Sequence, residues 1–346
     1  QVKSYKAGAG NEQTGIGAEL SQVAAYLYVV APMKGAPADK AGLQAGDVIE
    51  YIDTKATRDI SLYDAKQLLS GPAGSEVKLR VLRSGTTPAT ITVKRGKFKT
   101  PEPETKMEAG KIGIIQVYGL AKGEAALVKT KLQELIKQGA QKIVLDLRGV
   151  AGGELNEGIA VANLFIKEGA LAQTIGREGK SLKTFNAETA GFVFDGQAIV
   201  LIDEGTAGAA EVVAAAFVEN KRGDVVGDKS FGAGAEQQLF TLRDGDGLLL
   251  TTIKWASGSG KSFLGEDRSK SGVSPTVKVE REDVSKVDAE DLESGGTEST
   301  QNNQENSGNK GETQQPKPQK PKEDLQLKKA LELLKDKTAT ALPKAA

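Results

Sequence analysis

Gly35-Ala36-Pro37-Ala38-Asp39-Lys40-Ala41-Gly42-Leu43-Gln44-Ala45-Gly46-Asp47-Val48-Ile49 is the stretch on which the reading of this chain turns. Upstream lies Gly15-Ile16-Gly17-Ala18-Glu19-Leu20, a loop opened by glycine that runs into a strand. Around these two segments, short β-like apolar runs occupy residues 26–31, 48–52, 77–82 and 90–93, separated by glycine turns. One helical stretch falls over 61–69. Residues 15–96 therefore read as a small β-rich domain with one or two helices. A glycine loop leaves backbone N–H groups available to a terminal carboxylate, and the edge of the strand that follows can pair with an extended peptide.

The quoted pattern, G-x-P-A-x-x-A-G-L-x-x-G-D-x-I, resembles bacterial PDZ domains over about 80 residues. The resemblance implies a groove that binds peptide or protein C-termini. Ile16, Gly17 and Ala18 would lie at the carboxylate loop. Leu20, with Leu68 and Leu69 of the helix, would line the side-chain pocket.

Beyond residue 97 the composition changes. Buried-type strand runs at 112–117, 142–147, 198–202 and 224–226 alternate with helical segments. Val128, Leu132, Leu135 and Ile136 recur at helical spacing, with Gly139 as a stop, and further helices are expected over 159–165 and 212–217. Such alternation argues an α/β core.

Three segments of that core follow in a recognisable order: Leu147-Arg148-Gly149-Val150-Ala151-Gly152-Gly153, Val200-Leu201-Ile202-Asp203-Glu204-Gly205-Thr206-Ala207-Gly208-Ala209-Ala210-Glu211 and Val225-Val226-Gly227-Asp228-Lys229-Ser230-Phe231-Gly232-Ala233-Gly234-Ala235-Glu236-Gln237. Their order and spacing resemble the tail-specific, or C-terminal processing, serine peptidases, whose core is crotonase-like. The resemblance runs to about residue 280 and resumes at Gln326-Leu327-Lys328-Lys329-Ala330-Leu331-Glu332-Leu333-Leu334. It implies a serine nucleophile at position 208 and a lysine base at position 233, assisted by the glutamine matching Gln237. This chain has Gly208 and Ala233 there. A hydroxyl becomes a useful nucleophile when a base takes its proton, and a lysine acts as that base when burial lowers its pKa. Glycine supplies no hydroxyl and alanine no amine. The resemblance also implies an oxyanion frame of backbone N–H groups at Ala209 and the Gly152-Gly153 turn. Thr206 is expected as a helix N-cap, and Asp203, Glu204 and Glu211 as surface or helix-start carboxylates.

Composition narrows the chemistry further. In 346 residues there is no histidine and no cysteine. That removes Ser-His-Asp triads, thiol nucleophiles, disulfides and thiolate or imidazole metal sites; no cofactor and no metal are expected. Lys+Arg and Asp+Glu balance at 46 each, with no basic stripe to suggest nucleic acid. No apolar run reaches the length of a membrane span. Gly260-Lys261-Ser262 fails as a phosphate loop, because Trp255 stands where its first glycine would be.

Residues 284–322, rich in Glu, Ser, Gln, Asn, Gly, Lys and Pro, read as disordered linker. After them Leu327, Ala330, Leu331 and Leu334 form an apolar helical stripe that needs a docking surface. The expected organisation is an N-terminal segment 1–14, a PDZ domain 15–96, a peptidase-like core 97–283, a linker 284–322 and a C-terminal helix and tail 323–346. The expected function is an inactive peptidase homologue, a pseudoprotease that binds C-termini as scaffold or regulator, with an active peptidase relative as a possible partner. The alternatives are a peptidase with a rearranged site, or an active enzyme's sequence with its dyad removed. The family resemblance implies an extracytoplasmic location, in the bacterial periplasm or envelope.

Overall fold

The structure, a computed structural model, describes residues 13–23, 25–84, 86–243, 246–280 and 323–336. The linker expected over 284–322 and the segment ahead of residue 13 lie outside the described residues.

The first unit contains β1 (Gln13–Gly15), β2 (Ala18–Val23), β3 (Tyr26–Pro32), α1 (Pro37–Lys40), β4 (Val48–Ile52), β5 (Lys55–Ala56), α2 (Leu62–Leu69), β6 (Glu76–Leu82), β7 (Ala89–Lys94) and β8 (Gly96–Phe98). Its sheet is antiparallel in the order β2-β3-β4-β6-β7, with β5 paired to β4, so β2 is an edge strand. β1 and β8 pair antiparallel and tie the two ends of the unit together. Strict alternation in β6 turns Val77, Leu79 and Val81 inward. There they meet Leu27, Val29, Ile49 and Ile52, and Ala65 and Leu69 of α2 close the core from one face. The aspartate of the opening motif also has a clear role. Buried Asp47 accepts from the Gln44 N–H and takes Arg83 in a two-pronged pair of 2.6 and 2.7 Å, while Arg83 also donates to Gly42 O. The glycine-rich turn is thereby fastened to the end of β6.

The second unit is built on a six-stranded sheet of β9 (Glu104–Glu108), β10 (Ile112–Gln116), β11 (Lys142–Asp146), β14 (Gln197–Ile202), β15 (Val225–Gly227) and β18 (Val277–Lys278), in the order β18-β15-β14-β11-β10-β9. All neighbours are parallel except β9. The central strands are apolar throughout because both faces are covered. Ile143, Leu145, Val200 and Ile202 face α3 (Glu124–Lys137), α4 (Leu155–Asn163) and α5 (Ala209–Glu219). Val144, Ile199, Leu201 and Val226 face the other way, onto Ala330 and Leu334 of the terminal helix α6 (Leu325–Asp336). Leu327 and Leu331 pack beside them, so the whole stripe seen in the sequence is in place.

Both ends of α6 are clipped to the sheet. Asp324 accepts from the Leu327 N–H and pairs with Arg148, which also grips Asp146; Lys142 Nζ donates to Leu334 O at the far end. Two carboxylates around one guanidinium outweigh its burial and hold Arg148 firmly charged.

Two readings need correction. The helices expected over 159–165 and 212–217 are shifted or longer, at Leu155–Asn163 and Ala209–Glu219. A four-stranded antiparallel sheet, β13-β12-β17-β16, was not anticipated. It comprises β12 (Ala170–Ile175), β13 (Ser181–Asn186), β16 (Ala235–Thr241) and β17 (Gly247–Ser257). β13 and much of β16 are exposed, which weakens the apolar signal that marks a strand in sequence.

The two ends of the segment outside the described residues meet, since Gln326 Nε2 donates to Val279 O at 2.9 Å. Loop-closure entropy grows slowly with length, by about 0.6 kcal/mol per doubling. Replacing residues 281–322 with a connector of about six residues should therefore stabilise the protein by roughly 1–2 kcal/mol. The midpoint of urea unfolding measures this. A loss of stability would mean that the segment itself holds α6 in place. Among the described residues no helix is long and apolar enough to cross a membrane.

Candidate peptide groove and candidate catalytic cleft

Among the described residues β2 pairs with β3 alone, which leaves its other edge free on the side of α2. Ile16 and Leu20 are buried in the shared core with Leu69, and Ala18 and Leu68 pack against them, so the predicted pocket residues converge. The carbonyls of Ile16 and Gly17 are used inward, accepting from Ala38 and Met33 N–H. Gly17 takes φ +70°, and a Cβ there would lie 2.4 Å from Ala36 Cβ, so only glycine fits. Ser61 caps α2 by accepting from the Asp64 N–H. At the other end Arg95 donates to Leu68 O at 2.7 Å and Leu69 O at 3.1 Å, satisfying carbonyls that a helix end leaves open. Arg95 thus positions the groove's helix, a role not read from the sequence. Lys66 of α2 and Glu19 of β2 form an ion pair of 3.3 Å.

The second site assembles from three chain segments. The turn after β11 is fastened to the turn after β14 by buried Asp203, whose Oδ1 accepts from Gly149 and Gly205 N–H at 2.9 and 3.0 Å. The Ala207 N–H donates to Val150 O, and the Phe231 N–H donates to Thr206 O. These bonds bring positions 208 and 233 together: a Cβ on Gly208 would lie 3.3 Å from Ala233 O. The carboxylate of Glu211, fully buried at the first turn of α5, joins them. One oxygen accepts from the Gly208 N–H at 2.9 Å and the Ala233 N–H at 2.8 Å; the other accepts from Ser230 Oγ at 2.5 Å and the Gly232 N–H at 2.7 Å. Burial pushes this carboxyl up to about 7 against the pull of the four donors.

Several expectations change here. Glu211 is a helix-start carboxylate but is buried, and Asp203 is buried as well. Thr206 is not the N-cap. It is buried, donates to Leu147 O and accepts from the Asp203 N–H, while Gly208 holds the N-cap position at φ +63°, ψ −117°. That conformation is strained for residues with a side chain and suits a sharp strand-to-helix turn. The Ala209 N–H, expected in an oxyanion frame, donates to Gly152 O at 3.1 Å. Gly152 and Gly153 both take positive φ, and Gly153 abuts Leu120 O. Gln237 is exposed on β16, paired with Thr251. Ser230 and Thr206 are both spent, Ser230 on Glu211 and the Val273 N–H, Thr206 as above. Glu211 stands three residues after the N-cap, the position of a capping-box glutamate, and that spacing is the signal that could have found it.

The first unit covers this place. Tyr28, Val30 and Val48 pack against Ala207 and Phe231, with Ala151 and Ala233 at the margin. A separate cavity of about 460 Å³ lies between the first unit, the sheet and α6, lined by residues that include Asp39, Asp146, Arg148, Glu204 and Asp324 but neither Gly208 nor Ala233.

A PDZ domain followed by an α/β peptidase core defines a processing-peptidase architecture. The chain matches Peptidase family S41 over residues 111–279 and a PDZ domain over 28–83. It is 31% identical to the carboxy-terminal processing protease CtpA of Bacillus subtilis (strain 168) over 287 residues, 83% of this chain and 60% of that protein. It is 32% identical to a CtpA-like serine protease of Staphylococcus haemolyticus (strain JCSC1435), covering 81% of this chain and 55% of that protein. The chain therefore spans little more than half the length of these curated relatives. Among solved structures, the photosystem II D1 C-terminal processing protease superposes with a TM-score of 0.72 at 28% identity, over 80% of this chain and 75% of that one. The chain belongs to the C-terminal processing peptidase family.

Proposed function

We propose that this protein binds free C-termini of peptides or proteins through its PDZ groove without hydrolysing them, as a scaffold or regulator. The observation that carries the reading is the pair Gly208 and Ala233. The resemblance assigns the family's nucleophile and base to these two positions, which lie close together, and they bring neither hydroxyl nor amine. The contact between Gly152 O and the Ala209 N–H supports it, because an amide already engaged cannot receive a developing oxyanion. The converging apolar pocket and the free edge of β2 support peptide capture. An active member of the same family is the partner to which captured chains would be presented, or from which they would be shielded. An extracytoplasmic location follows by family resemblance and is tested by fractionation of the native cell.

The test combines binding and turnover on the purified protein. A C-terminal octapeptide with a free carboxylate should bind about 10- to 100-fold more tightly than its amide, the value of charge-assisted hydrogen bonds at the loop. An unfolded protein substrate should remain uncut. Binding that ignores amidation overturns the carboxylate loop; cleavage that tracks the protein through purification overturns the inactive reading.

A further inference from the structure

The Glu19–Lys66 pair has a particular placement. Along β2, Ala18 and Leu20 pack in the core beneath α2 while Val23 packs on the other face, so Glu19, at a register shift against β3, falls on the face of Val23. α2 packs on the core face, with Ala65 and Leu69 in the same cluster as Leu20. An ion pair joining Glu19 to Lys66 must therefore pass across the free edge of β2. A peptide strand would add along that edge. Both partners are about half exposed, so the pair is weak and opens readily.

We propose that Glu19 reads the second-to-last side chain of a bound peptide and selects lysine or arginine there. The proposal rests on the groove reading given above. A peptide whose carboxylate sits at the Ile16–Gly17 turn runs antiparallel to β2. Its last side chain enters the Leu20–Leu68–Leu69 pocket, and by strand alternation its second-to-last side chain points away from α2, on the side of Glu19, whose carboxylate lies 3.8 Å from where a Cβ on Gly152 would stand. Binding displaces Lys66 from Glu19. A basic side chain replaces the lost cation, a neutral one leaves Glu19 solvated, and an acidic one meets it with like charge.

Octapeptides identical except for endings Lys-Val, Gln-Val and Glu-Val, all with free carboxylates, test this by fluorescence anisotropy on the full chain. Affinity should fall in that order by about two- to fivefold per step at low salt, the scale of an exposed charge pair. The differences should shrink toward parity in roughly 0.5 M salt. Glu19→Gln should abolish the charge preference while still binding the Gln-Val peptide, Glu19→Lys should invert the order, and Lys66→Met should sharpen the preference for Lys-Val. Equal affinity for Lys-Val and Glu-Val at low salt, or an order that survives Glu19→Lys, overturns the assignment and leaves the groove reading standing. Failure of every free-carboxylate peptide to bind overturns both.

Discussion

Gly208→Ser is expected to cost about 2–4 kcal/mol of stability and to leave peptide hydrolysis at background. Two physical terms combine. The backbone at position 208 holds φ +63°, which serine tolerates only under strain of roughly 1–3 kcal/mol. A Cβ there would lie 2.8 Å from Gly152 O, a backbone atom that cannot turn aside as a side-chain tip can. Relief requires the 149–153 turn to withdraw, and that turn is tied down by Asp203 through the Gly149 N–H.

Adding Ala233→Lys supplies both residues of the dyad that the family resemblance implies. The new lysine would lie among Phe231, Ala207, Tyr28 and Val30, where burial lowers its pKa in the direction a general base needs. The Ala209 N–H, the oxyanion donor that the resemblance implies, would still be held by Gly152 O, and one missing donor is worth about 10²–10³ in rate. The double variant should thus cut at least roughly 100-fold more slowly than an active relative on the same unfolded substrate. Chemical denaturation and a single-turnover cleavage assay measure the two effects. A doubly restored protein with the relative's full rate would show that the Gly152 turn vacates freely.

The second large effect belongs to Glu211. Glu211→Leu strands four donors, three buried on Gly208, Ser230 and Gly232 and one part-buried on Ala233, and should destabilise by about 3–5 kcal/mol. The native carboxyl titrates at about 7 because of its burial, against 4.5 for an ordinary glutamate. Between those values the native state holds the proton and the unfolded chain releases it. The stabilisation is present in full below about pH 4.5 and is lost as pH rises through 7, a change of about 3 kcal/mol. Glu211→Gln cannot ionise, so this part of the pH dependence should be absent from its stability profile. A wild-type profile that instead rises from pH 5 to 8 would mean that the four donors outweigh burial and keep the carboxylate charged.

How much of this was legible beforehand differs from element to element. The glycine-proline-glycine-aspartate pattern around residues 35–49 announces the first unit, because each residue type there answers a local need, as Asp47 does for the turn it closes. Continuous apolar runs announce β10, β11 and β14, since strands covered on both faces have no polar side to show. β13 and much of β16 are exposed and lack that signature, so the hairpins they form with β12 and β17 are not legible in the sequence.

What the order of residues determined by itself is chemical: no imidazole or thiol anywhere, no hydroxyl at 208, no amine at 233. Absence of an atom needs no folding to be certain. Tertiary structure alone decided how the remaining atoms are used. It gave the Ala209 amide to Gly152, buried Glu211 between two loops, laid the first unit over positions 208 and 233 and placed α6 on the open face of the sheet. Most of these contacts join residues from about twenty to more than two hundred positions apart, and no local pattern encodes which distant carbonyl an amide will meet.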